Sequence, residues 1–233
     1  MKIAIMQPYI FPYLGYFQLI NAVDKFIIYD DVNFIKQGWI NRNYFLLNGS
    51  KYLFTIPVEN ISSYTKINEL KLSVKPFGWQ KKILQTVAQA YRKAPFFNDV
   101  FPIIEKVINC SHANAGCIAL ESILSVNEYL SINTDLVKSS EIYQNSDIKN
   151  VDRVIDICKR ENATIYINAI GGQELYSAQF FLQNKIRLRF LKPCLCQYKQ
   201  FENEFIMGLS MIDVLMFNSP VNISAMLNQY ELI

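Results

Sequence analysis

Short apolar runs alternate along the chain with stretches whose apolar positions recur at three and four, an order that predicts an α/β protein. Residues 3–6 are continuously apolar and read as a strand. Gln7-Pro8 ends that run, and Pro8 and Pro12 hold the next segment out of regular structure. Residues 15–22 read as a helix with Phe17, Leu19 and Ile20 apolar. Residues 25–29 form a second apolar run, the pattern of a strand covered on both faces, and lead into Asp30-Asp31. This β–loop–α–β opening puts polar residues at the carboxyl ends of two strands, where open α/β sheets take their ligands.

Further along, 44–47 and 52–57 read as short strands joined by the turn Asn48-Gly49-Ser50, and 66–74 alternates as another strand. Three helices follow at 79–94, 97–110 and 115–130; in the first, Ile83, Val87, Ala90 and Tyr91 recur at helical spacing. The βα rhythm then returns. Strands are expected at 135–139, 163–169 and 186–191, and helices at 151–160, 174–183, 209–216 and 220–227. No repeat, low-complexity segment or Gly/Ser linker divides the chain. The expectation is a single domain over residues 1–233, a mostly parallel α/β sheet interrupted by a helical insertion at 76–131. That insertion is read as either a lid or an extra layer.

Composition sharpens this. Of 233 residues, 51% are hydrophobic and 18% charged, which excludes a disordered chain and supplies a sizeable core. No apolar run reaches the ~18 residues of a spanning helix. The N-terminal apolar stretch is too short for a signal-peptide core, so the chain is read as cytoplasmic. A net charge of +3 gives no basic footprint for nucleic acid, which is not expected as a partner. Sixteen Phe and 14 Tyr are a heavy aromatic load, compatible with a homodimer. Cys110, Cys117, Cys158, Cys194 and Cys196 include no CxxC, and His112 is the sole histidine, so no metal site is expected and the thiols read as reduced. The cofactor is left open: there is no Walker loop and no GxGxxG.

The densest polar cluster lies at the front. Gln7, Tyr9, Tyr13, Gly15, Tyr16 and Gln18 are followed by Asp30-Asp31 and by Trp39 with Asn41-Arg42-Asn43. Together they offer carboxylates, a bidentate cation, amides, and rings able to stack on a flat or sugar-like ligand. Gly15 would let a ligand approach backbone N–H groups at a helix start. Gly171-Gly172 at a strand's carboxyl end offers a second such approach, or a turn that needs positive φ. Each also has a structural reading: Tyr13 and Tyr16 as core residues, Asp30-Asp31 as a cap or surface pair, Arg42 as an ion-pair residue. His112 lies two residues from Cys110, a poor geometry for a dyad.

These residues carry a resemblance. Met6-Gln7-Pro8-Tyr9, the run from Pro12 to Ile20, Asp30-Asp31-Val32-Asn33-Phe34, Trp39 with Asn41-Arg42-Asn43, and Ile56-Pro57-Val58 resemble, in order, the WbqC-like family. Ser139-Ser140, Gly171-Gly172, Leu175-Tyr176, Tyr198 and Leu209-Ser210-Met211-Ile212-Asp213 extend it over nearly the whole chain. The resemblance implies work on activated, often amino, sugars in bacterial surface-polysaccharide (O-antigen) biosynthesis. A weaker, degenerate resemblance is to the HIGH-type nucleotidyltransferase and synthetase superfamily. It implies a Rossmann-like (HUP-type) sheet with helices on both faces. Tyr13 and Tyr16 stand where that signature has histidines, and a phenol cannot neutralise phosphate charge as an imidazolium does.

The expected function is therefore a transferase that N-acylates or N-aminoacylates a nucleotide-linked amino sugar, with an acyl or aminoacyl donor as second partner. Asp30 or Asp31 is the candidate base, and Arg42, Asn41 and Asn43 are candidates to hold phosphate or hydroxyls. Gln7, Tyr9, Tyr13, Gly15, Tyr16, Gln18, Trp39, Gly171 and Gly172 complete the expected substrate site. The alternatives are a degenerate nucleotidyltransferase using a nucleoside triphosphate and magnesium, and a non-catalytic sugar-nucleotide binding protein.

Overall fold

In the computed structural model, which describes residues 1–62, 64–194, 196–202 and 204–233, the apolar runs become the inner strands of one sheet. The chain order is β1 (Lys2–Met6), α1 (Leu14–Asn21), β2 (Lys25–Ile28), the hairpin β3 (Arg42–Leu47) and β4 (Ser50–Thr55), then α2 (Trp79–Tyr91), α3 (Phe97–Asn109), α4 (Ala115–Leu130) and β5 (Asp135–Val137). It continues with α5 (Asn150–Arg160), β6 (Ile165–Ala169), α6 (Ala178–Gln183), β7 (Arg187–Pro193), α7 (Met211–Phe217), α8 (Pro220–Leu227) and β8 (Tyr230–Leu232).

The main sheet runs β5-β2-β1-β6-β7-β8. Its first five strands pair in parallel, and β8 joins antiparallel through Leu191↔Leu232. From β1 the chain winds outward through β2 to β5, then returns to β6 on the other side of β1 and winds out again. The strand order therefore reverses between β1 and β6, the position at which doubly wound sheets open a crevice.

Side-chain alternation explains why the inner strands read as apolar throughout. Ala4, Phe26, Ile28, Ile167 and Leu191 enter one core with α1 and with Val87, Ile104 and Ile123 of α2, α3 and α4. Ile3, Ile5, Ile27, Tyr166, Leu188 and Phe190 face the opposite side, against Val154, Ile157 and Cys158 of α5 and Phe181 of α6. Both faces are covered, so the inner strands are apolar along most of their length, with Asn168 buried near the carboxyl end of β6. A third cluster, Phe34, Ile40, Ile67, Leu70 and Ala115, lies under the loops after β2.

The β3–β4 hairpin turns on Asn48-Gly49, both at positive φ (51° and 73°), the type I′ geometry that matches strand twist. Asn114 caps α4 by accepting from the Cys117 N–H at 2.9 Å. Ser219 caps α8, whose first residue is Pro220.

Three sequence expectations change. Residues 66–74 are not a strand: Ile67–Glu69 is a 3₁₀ turn, with lone bridges from Lys66 to Asn33 and from Leu72 to Val58. Ile67 and Leu70 are three apart, and both drop into the third cluster, which winds the segment. The expected helix at 174–183 splits into a 3₁₀ turn, Ile170–Leu175, and α6, because Ser177 accepts from the Phe180 N–H and starts a new helix. Finally, β8 adds an edge strand, too short and too exposed to leave a pattern in the sequence.

Candidate functional site

The carboxyl ends of β1 and β2 lead into a cleft of about 840 Å3, within the ~300–1,000 Å3 usual for ligand sites. Gln7 enters it after β1; Tyr29, Asp31 and Asn33 enter after β2. Tyr176 closes it beyond β6, and the N-terminal part of α5 forms the facing wall. Lys66 and Lys149 bring positive charge to the rim. Lys149 is the residue before α5 and supplies no side-chain cap, so the first N–H groups of that helix are left for water or a ligand.

A buried polar network fixes the β2 end of the cleft. Asp30 accepts from Ser139 Oγ at 2.7 Å and from the Ser140 N–H at 3.1 Å, tying the end of β2 to the segment after β5. Asp31 accepts from Ser140 Oγ and from Arg153 Nη2. Arg153 stands one turn into α5, donates through Nε to Asn145 Oδ1 at 2.9 Å, and lies 4.9 Å from the Tyr29 ring centroid. Asn145 in turn donates to Asp156 Oδ2 at 2.6 Å. Burial pushes the Asp30 carboxyl above its ordinary range, against the hydrogen bonds from Ser139 and Ser140. Burial likewise raises the Tyr29 phenol, which stays a neutral donor near pH 7.

The sequence candidates do not all gather here. Among them, Gln7 and Asp31 line the cleft, and Asp30 is buried without lining it. Tyr9, Tyr13, Trp39 and Asn43 instead line a second, smaller pocket with Pro12 and Gly208. Tyr16 is buried and donates to the Gln7 carbonyl at 2.9 Å. Gln18 is buried in α1, where its amide donates to the carbonyls of Met226 and Gln229 at 2.9 and 2.8 Å and clamps the C-terminal helix. Asn41 donates to the Ile56 carbonyl, and Asn43 to those of Ile10 and Phe11. Arg42 donates to the carbonyls of Gly38 and Gln37, bracing the loop that carries Trp39.

At Gly15 a Cβ would lie 2.4 Å from Tyr13 Cε2 and 2.9 Å from Pro193 Cγ, so protein fills the approach to that helix start. Gly172 abuts the Asn168 amide, whereas Gly171 faces open space. His112 contacts the Val107 carbonyl through Nε2 at 2.8 Å, away from the cleft. Among the described residues, no group of three or more His, Cys, Asp or Glu is placed to hold a metal ion, and no helix is long and apolar enough to cross a membrane.

A model of the WbqC-like protein family matches residues 7–225. The chain belongs to the WbqC-like family. The match takes in every residue that lines either pocket. A relative of this WbqC-like chain is the uncharacterized protein Rv1507c of Mycobacterium tuberculosis, 28% identical over 217 residues, which cover 92% of each chain. No solved structure gives a significant match.

Sequence reasoning missed Arg153, Lys66, Lys149, Tyr29 and Tyr176 of the WbqC-like cleft. Arg153 carried a readable signal. It sits four residues before Ile157 and beside Val154, on the apolar stripe of α5, and a cation there requires a buried partner. The two lysines carried none, because exposed lysines are common everywhere.

Proposed function

We propose that this WbqC-like protein is a transferase acting on a nucleotide-linked amino sugar in bacterial surface-polysaccharide biosynthesis, by N-acyl or N-aminoacyl transfer. The observation that carries the reading is the position of the cleft: it lies at the carboxyl ends of β1 and β2 and extends to Tyr176 after β6, beside the point between β1 and β6 where the strand order reverses. Its furnishings suit the ligand. Lys66, Lys149 and the α5 N-terminus favour a diphosphate, while Tyr29 and Tyr176 supply flat faces with phenolic donors.

In the reaction, the sugar amine attacks the carbonyl carbon of an activated acyl or aminoacyl donor, and the leaving group departs with its electron pair. The amine proton must go to a base. Of the two candidate carboxylates, Asp31 lines the cleft; Asp30 does not line it and accepts from Ser139 and Ser140, which fixes the loop. Arg153 then serves as a positioning residue that orients Asp31. Asn41 and Asn43 donate to main-chain carbonyls, as Arg42 does through Nε and Nη2, which supports a part for them in shaping the loops around the site.

A second reading, nucleotidyl transfer from a nucleoside triphosphate with magnesium, draws on the same strand order. Thermal-shift titration separates them. Under the first reading nucleotide-linked amino sugars stabilise the protein, by about 2.7 kcal/mol at 100 times the dissociation constant. A shift only with triphosphate and magnesium supports the second. Binding of the amino sugar with no turnover, given every class of acyl donor, would leave a binding protein.

A further inference from the structure

The smaller pocket has a chemistry of its own. It encloses about 210 Å3, below the ~300–1,000 Å3 of sites for drug-sized ligands, and so has room for a single ring. Its walls are Tyr9, Tyr13 and Trp39, with Pro12, Asn43 and Gly208. Trp39 is 43% exposed, in contrast to Trp79, which is 6% exposed and donates its Nε1–H to the Ser73 carbonyl. Among the described residues, the hydroxyls of Tyr9 and Tyr13 and the Trp39 indole N–H have no hydrogen-bond partner. Burial raises both phenols, so they remain protonated and can donate as well as accept.

Charge narrows the ligand further. Among the described residues no acidic side chain lines the pocket, and the Arg42 guanidinium lies 5.8 Å from the Trp39 ring centroid, held there by the Gly38 and Gln37 carbonyls. A cationic ligand would meet that fixed positive charge. For an anion, Arg42 is not among the lining residues and donates through Nε and Nη2 to main-chain carbonyls, and the Asn43 amide is likewise committed, which leaves the phenols and the indole N–H as the donors of the pocket. A neutral ring with an apolar face and several hydroxyls satisfies the aromatic wall and the free donors together.

We propose that Tyr9, Tyr13 and Trp39 form a subsite for a neutral pyranose ring, which stacks on Trp39 and exchanges hydrogen bonds with the two phenols. Gly15 is its positioning residue: only a residue without Cβ leaves the Tyr13 ring where it stands, 2.4 Å from the position that Cβ would take. The inference does not depend on what fills the larger cleft, since the probes that test it carry no nucleotide.

The test is ligand-observed saturation-transfer NMR on the full chain. The probes are methyl α-glucopyranoside and methyl N-acetyl-β-glucosaminide, with uridine and tetramethylammonium as the aromatic and cationic comparisons. The expected result is saturable binding of at least one glycoside, lost or weakened about tenfold in Trp39→Ala and weakened in Gly15→Ala. Trp39 is exposed, so Trp39→Ala should keep the parent's thermal transition. If Gly15→Ala fails to fold, Tyr13→Leu replaces it. Glycoside binding that survives Trp39→Ala, absence of saturable glycoside binding, or a response to uridine or tetramethylammonium alone would each overturn the proposal. Failure of nucleotide-linked sugars to bind would instead count against the reading of the larger cleft.

Discussion

Arg153 and Asp31, 122 residues apart in sequence, form an ion pair with both side chains only 3% exposed. The pair joins the carboxyl end of β2 to the first turn of α5, the two walls of the larger cleft. Removing water from two charges is costly, and the Coulomb attraction offsets that cost only when the remaining donors and acceptors are also satisfied. Here Ser140 completes Asp31, while Asn145 and the Tyr29 ring complete Arg153. The pair therefore fixes the shape of the cleft more than it adds stability.

Breaking the pair from one side leaves a buried charge without its partner. Arg153→Ala is expected to lower unfolding free energy by about 3–5 kcal/mol. The double variant Asp31→Leu with Arg153→Met should lose much less, since neither charge remains. Urea unfolding of the parent, Asp31→Leu, Arg153→Met and the double variant measures this as a double-mutant cycle. A loss in the double variant equal to the sum of the two single losses would show that the charges are not coupled.

Asp213 on α7 is fully buried and accepts from Tyr91 Oη at 2.7 Å, Tyr198 Oη at 2.6 Å and Gln200 Nε2 at 2.7 Å. Tyr91 Oη also accepts from the Leu46 N–H, so one carboxylate links α2, α7 and the β3–β4 hairpin. Burial raises the Asp213 carboxyl above its ordinary value, against those three hydrogen bonds. Such a group binds its proton more tightly when folded. Its stabilising contribution is complete below the unfolded carboxyl pKa and is lost as pH rises through the folded one. Asp213→Asn removes that titration. The stability difference between the parent and Asp213→Asn should therefore move in the parent's favour as pH falls from neutral towards about 4. Chemical unfolding at several pH values reads the slope, and a difference that is flat or moves the other way contradicts the assignment.

Two glycines separate packing from openness. Gly15→Ala drives a methyl group into Tyr13 and Pro193 and should cost about 1–3 kcal/mol. Gly171→Ala meets nothing within 4 Å and has no positive φ, so its effect should stay within about 0.5 kcal/mol. Thermal unfolding of both variants tests the contrast; similar losses would mean that the Tyr13 ring yields freely or that Gly171 is less open than it stands.

The inner strands were legible because burial on both faces forces an uninterrupted apolar run: β1, β2 and β6 fall where the runs are, and α8 has the expected bounds. Residues 66–74 were not, because Ile67 and Leu70 answer to a small cluster assembled from distant loops. The site was harder for a related reason. Gln18, Asn41, Arg42 and Asn43 have the composition of a binding pocket, yet their donors meet main-chain carbonyls from other elements. A sequence does not display which carbonyls lie opposite a side chain. Gln7 and Asp31 were legible because a parallel sheet carries its ligands at strand ends, and their place follows from the strands alone.

The most direct test of the larger cleft is a calorimetric titration of the protein with a nucleotide-linked amino sugar, repeated with the double variant Lys66→Ala, Lys149→Ala. Both lysines stand on the rim, outside the buried network, so the variant should keep the parent's thermal transition. Saturable binding by the parent, weakened at least about tenfold in the variant, is the predicted result. No binding by the parent, or equal binding by both proteins, would contradict the assignment of this cleft as the site for an activated sugar.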